Sequence, residues 1–102
     1  MDKAKDAMKA ASSVYKLLME NEKVRVMDLR LRPGERAPMH NHPSKHVVYV
    51  ISDAKLRLTS PDGKAQELDL KAGQTVWMEA ESHEAANIGR TDGHLLVVEV
   101  KK

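Results

Sequence analysis

The chain has 102 residues, room for one domain and too few for two that could each bury a core. An apolar share of 41% and a formal charge of +2, from 17 basic and 15 acidic residues, are ordinary for a globular domain. Cysteine is absent, which excludes a disulfide scaffold, a thiolate nucleophile and a thiolate metal site. Tyr15, Tyr49 and Trp77 are the whole aromatic complement, and with no basic stripe beside them nucleic acid is not an expected partner. The longest strictly apolar run, Val47–Ile51, falls far short of the roughly 20 residues that span a bilayer. Lys5, Asp6 and Lys9 interrupt any secretory core near the start, so a cytoplasmic location and no membrane partner are expected.

Residues 1–13 read as an N-terminal extension, helical or irregular. Ala4, Ala7, Met8 and Ala11 fall at helical spacing, but a stripe of mostly alanine buries little, so such a helix should dock on a neighbour or fray. From Val14 the period becomes two. Strands are expected over 14–19, 24–31, 46–51, 55–59, 66–70, 75–78, 84–87 and 95–101. Turn residues punctuate them, and Pro61-Asp62-Gly63 is the strongest hairpin signal, with proline fixing φ near −65° and glycine supplying positive φ. Strands this short and evenly spaced point to an all-β sandwich or barrel over residues 14–102.

Val47–Ile51 and Leu95–Val98 are apolar at every position, so both faces of those strands need cover. One face meets the barrel interior. A second copy of the chain is the expected cover for the other, giving a homodimer; the N-terminal segment of the same chain is the alternative.

Three of the five histidines fall within seven residues, His40-Asn41-His42-Pro43-Ser44-Lys45-His46. In an extended strand His40 and His42 share a face, Pro43 marks a strand end, and His46 opens the next strand. His83 follows a second turn-and-strand unit starting at Gly73, while His94 reads as an ordinary surface histidine. Imidazoles on rigid strands suit a divalent transition metal ion (Mn, Fe, Zn, Ni, Co or Cu). A metallo-β-lactamase pattern fails for lack of an aspartate after His42, and a zinc finger fails for lack of cysteine.

These motifs resemble those of a small single-domain cupin. The first cupin motif, Gly-x5-His-x-His-x3–4-Glu-x6-Gly, is matched by Gly34 through His40, His42 and His46 to Asp53; the second is matched by Gly73, His83 and Asn87. His46 stands where the family has a metal-binding glutamate, Asp53 replaces a glycine, and the stretch from Gly73 to His83 is one residue short. The resemblance implies a single cupin β-barrel, a double-stranded β-helix or jelly roll. It also resembles the subset that binds metal through four histidines, here His40, His42, His46 and His83. Four neutral ligands would leave a divalent ion its full charge and favour an anionic small-molecule ligand. On that footing the chain is a metal-dependent oxygenase, isomerase or lyase acting on a small anionic molecule, or a non-catalytic metabolite-binding module. Among Glu79, Glu81 and Glu84 one is a candidate hydrogen-bond partner for an imidazole, and among Arg30, Arg32 and Arg57 one is a candidate for a substrate carboxylate.

Overall fold

The computed structural model describes residues 5–101. Two five-stranded sheets face each other, with strand orders β1-β4-β9-β6-β7 and β2-β3-β10-β5-β8. The elements are β1 (Lys5–Asp6), α1 (Ala7–Ala10), β2 (Tyr15–Glu20), β3 (Val24–Leu31), β4 (Arg36–His42), β5 (His46–Ser52), β6 (Ala54–Thr59), β7 (Ala65–Leu70), β8 (Thr75–Met78), β9 (Glu81–Asn87) and β10 (Gly93–Val100). Successive strands from β4 to β6 and from β7 to β10 alternate between the sheets, which is the double-stranded β-helix expected from the motifs.

Alternation along each strand builds the core. Met27, Leu29 and Leu31 on β3, Val48 and Val50 on β5, Leu56 and Leu58 on β6, and Leu95 and Val97 on β10 all face inward and are buried. Gly63 closes the β6–β7 hairpin at φ 87°, the left-handed conformation its sequence neighbours called for. Asn87 donates to the carbonyls of Leu31 and Thr91 and accepts from the Gly89 N–H, pinning the turn before β10.

The strand expected over 84–87 begins three residues earlier, so it carries His83 on its inner face. β4 was visible in the sequence only through its histidine pair, because Pro38 breaks the period-two reading; the structure turns that break into a β-bulge between Ala37 and His40. The bulge flips the facing. Ala37, His40 and His42 all point inward although Ala37 and His40 are an odd number apart. At the N-terminus the helix is a single turn over Ala7–Ala10, capped by the Asp6 side chain on the Met8 N–H, and Ala7 and Ala11 dock it against the core. The expected stripe residue Ala4 lies outside the described residues. Among the described residues no helix is long and apolar enough to cross a membrane.

Candidate metal centre

β4 and β9 pair antiparallel with His40 directly opposite His83. Together with His42, two residues along β4, they form a cluster in which one ring nitrogen from each lies within 4.8 Å of the others. The spacing between Gly73 and His83, one residue short of the family pattern, is therefore absorbed without moving His83 out of the cluster. His46 opens β5 on the facing sheet and stacks on His42, ring centroids 4.4 Å apart. It stands outside the tight group of three but lines the same cavity as His42 and His83. All four rings are buried, none more than 4% exposed.

Every one of the four rings is anchored through the same atom. Nδ1 of His40 is 2.6 Å from the Pro38 carbonyl at the bulge, Nδ1 of His46 is 3.1 Å from the Ser44 carbonyl, and Nδ1 of His42 is 2.8 Å from Glu99 Oε2. Nδ1 of His83 is held by the Glu81 carboxylate. Carbonyl and carboxylate oxygens only accept, so each Nδ1 carries the hydrogen and each Nε2 presents a bare lone pair. His40 and His42 bring those two lone pairs to 3.1 Å from each other. Neither can donate to the other. Among the described residues the one hydrogen nearby belongs to the Tyr15 hydroxyl, 3.3 Å from His40 Nε2 and 3.4 Å from His42 Nε2, and it can satisfy only one of them. A cation between them resolves the conflict: two nitrogens at about 2.1 Å from one ion and near a right angle lie about 3 Å apart.

Charge is arranged behind the rings. Glu99, buried on β10, accepts from His42 and, through Oε1 at 2.8 Å, from Arg25 Nε. The same guanidinium makes a two-pronged pair with Asp6 at 2.8 and 2.6 Å. A relay of alternating charge thus runs from the N-terminal segment through β3 and β10 to His42. Burial alone would raise the Glu99 carboxyl, but the hydrogen bonds from His42 and Arg25 outweigh it and hold the group below its usual range. Burial pushes His40 down to about 4 and lowers His42 and His83, against the opposing pull of Glu99 on His42 and of Glu81 on His83. His40, His42 and His83 are therefore neutral at neutral pH, the form in which an imidazole can ligate a metal. Burial, with the nearby Glu99 charge, raises Tyr15 and keeps its proton in place.

A cavity of 30 Å³ adjoins the rings, and its remaining lining is aliphatic apart from Tyr15 and Met78. None of the three candidate arginines turns inward. Arg30, Arg32 and Arg57 sit on the outside with Asp28, Glu35 and Glu67. Of the three glutamates only Glu81 reaches a site histidine; Glu79 takes the Trp77 indole N–H and Glu84 pairs with Arg36. His94 stays apart from the site, its Nε2 held by Asp28. Tyr15, Glu99, Arg25 and Asp6 escaped the sequence reading. The signal for Glu99 was there: it is a lone acid at an inward register after Leu95 and Val97 in an apolar strand.

The model of the Cupin domain family matches residues 27–99. The chain is a member of the cupin family. The match holds all four histidines and Glu99, whereas Asp6, Tyr15 and Arg25 precede it. No curated protein matches this cupin. Among solved structures it is similar to a cupin domain from Bordetella pertussis Tohama I, at 24% identity and a TM-score of 0.79 over 100% of both chains. It is also similar to an RmlC-like cupin from Methanocaldococcus jannaschii, at 24% identity and a TM-score of 0.69 over 86% of this chain and 79% of that one. The polyketide cyclase RemF from Streptomyces resistomycificus follows, at 20% identity and a TM-score of 0.62 over 86% and 64%. At these identities the likeness establishes the fold.

Proposed function

We propose that this cupin holds one divalent transition metal ion through the Nε2 atoms of His40, His42, His46 and His83. One observation carries the reading: four buried imidazoles give up Nδ1 to outer partners, and two of them face bare lone pairs at 3.1 Å with one hydroxyl hydrogen to share. When bound, such an ion supplies Lewis acidity toward an anionic ligand, since none of the four imidazoles cancels its charge. The chain's own residues do the rest. Glu99 and Glu81 hold the His42 and His83 rings in the binding tautomer, the aliphatic walls exclude water, and the Tyr15 hydroxyl is a hydrogen-bond donor within reach of the bound ligand.

On this reading the cupin is a metal-dependent oxygenase, isomerase or lyase acting on a small anionic molecule in the cytoplasm. The alternative, a module that binds a metabolite without turnover, is favoured by one specific observation: among the described residues lining the cavity, Tyr15 and the histidines are the sole groups able to move a proton. Oxygen uptake by Fe- and Mn-loaded protein across a panel of keto and hydroxy acids separates the two. Turnover supports the enzyme; ligand-induced thermal shifts without turnover support the module.

We propose a second copy of the chain as partner, seated on the outer face of the β2-β3-β10-β5-β8 sheet. One register row across all five strands, Met19–Val26–Val98–Val47–Trp77, is wholly apolar. Tyr49 and Ile51 extend it, at 42% and 39% exposure, with Trp77 at 55%. Beyond that row the same face turns polar, where Asp28 holds Arg30 and His94, while the opposite outer face carries pairs such as Arg57–Glu67 and Arg36–Glu84. Five strands about 4.8 Å apart and about seven residues long make a face of roughly 24 by 23 Å. With side-chain relief that approaches the roughly 800 Å² per partner of a stable interface, and a two-fold axis lets one apolar patch cover its own copy. The described N-terminal segment leaves this face bare, because β1 pairs with β4 in the other sheet.

A further inference from the structure

Resting on the metal reading above, we propose that the site takes a small monocarboxylate whose short, unbranched hydrocarbon tail fills the aliphatic end of the cavity.

The cavity has two chemically distinct parts. The Tyr15 hydroxyl and the imidazoles of His42, His46 and His83 make up all its polar groups. The other lining residues, such as Leu56 and Leu58 on β6 and Leu95 and Val97 on β10, offer only hydrocarbon. No lysine, arginine, aspartate or glutamate is among the described residues that line it. A ligand can therefore place one anionic group, at the metal end. A second charge would sit against aliphatic walls with nothing to pair it, a heavy desolvation cost.

Size sets the length of the tail. At 30 Å³ the cavity has room for only a short tail, about two or three carbons at most, and only with slight outward displacement of the lips. Those lips are Leu68 on β7 and Val76 and Met78 on β8, the described lining residues with the most surface left in solvent. β7 and β8 end the two sheets, so the entrance lies between two sheet edges and is itself apolar. A tail leaves water as it passes them.

The test uses the full chain loaded with Co²⁺, whose visible absorption bands report ligands at the metal. Sodium formate, acetate, propionate, butyrate and hexanoate are titrated, with β-alanine, which is propionate carrying an ammonium on its end carbon. The expected result is a dissociation constant falling about fourfold with each added carbon up to propionate or butyrate, then no further gain for hexanoate. β-Alanine is expected to bind at least tenfold more weakly than propionate. Leu68→Gln and Val76→Thr, both at the lips, are expected to keep cobalt and acetate binding but lose at least half of the gain from acetate to propionate. A flat series, no binding by any carboxylate, or equal affinity for β-alanine and propionate overturns the ligand class and leaves the metal site standing. A folded protein that takes up no cobalt overturns the metal reading itself, and this inference with it.

Discussion

Replacing Glu99 by glutamine tests how this cupin prepares its ligands. The side chain keeps its shape but exchanges one acceptor oxygen for an NH₂ donor. In the native protein both oxygens accept, one from Arg25 Nε and one from His42 Nδ1, each at 2.8 Å, with only 3% of the Glu99 side chain exposed. Arginine is always protonated, so the remaining oxygen must stay with Arg25. The new amide then meets His42, whose Nδ1 can accept only if the ring's hydrogen moves to Nε2, the atom aimed into the site. The variant should bind metal about 10–100-fold more weakly, the usual cost of losing a partner behind a ligand. Stability of the metal-free protein should fall by about 3 kcal/mol, because a buried, charge-assisted bond is lost beside a nearly buried guanidinium. Competition against a chromophoric chelator gives the affinity, urea melts give the stability, and ¹⁵N shifts of His42 give the tautomer. Native metal affinity in Glu99→Gln, despite lost stability and an unmoved tautomer, would refute the idea that Glu99 sets the ligand.

Acid should destabilise the metal-free protein from about pH 6.5 down to about 4. His40, His42 and His83 have folded pKa values below those of the unfolded chain, so unfolding takes up protons there; His40 alone, at about 4, accounts for about 3 kcal/mol, and a stability flat across that range in urea titrations contradicts it. Proton competition for the metal should likewise set in below the ordinary histidine range near 6.5. Tyr15→Phe should keep the metal and weaken acetate binding several-fold, by loss of one hydrogen bond, as cobalt absorption titrations would read. Trp77→Arg should turn a dimer into a monomer in light scattering at micromolar concentration while leaving the metal content unchanged; a dimer that persists, or a native chain already monomeric, counts against the proposed face. Asn87→Ala should cost about 2–3 kcal/mol in urea melts through its orphaned turn partners, with the metal affinity unmoved.

What the sequence made legible was periodicity and motif. Strands such as Val24–Leu31 and Thr75–Met78 were readable residue for residue, since alternation survives wherever one face is buried. The histidines were readable because few other uses bring three imidazoles into seven residues. Harder to see was the bulge at Pro38, which looks like a broken strand until its carbonyl is found bonded to His40 Nδ1. Tyr15 and the Asp6–Arg25–Glu99 relay were hidden for another reason. They reach the site from β1, β2, β3 and β10, and only the sheet register reveals that residues 6, 25 and 99 meet behind residue 42. The outward course of Arg30, Arg32 and Arg57 was invisible for the same reason, and it replaces a substrate-binding arginine with a wall of aliphatic side chains.

Anomalous diffraction from crystals grown with Co²⁺ or Zn²⁺ probes the four-imidazole centre without relying on any activity. One peak is expected, about 2.1 Å from the Nε2 atoms of His40, His42, His46 and His83, with all four Nδ1 atoms still bonded to Pro38, Glu99, Ser44 and Glu81. A peak bound through Nδ1, a peak that leaves His46 out, or none at these rings would contradict it.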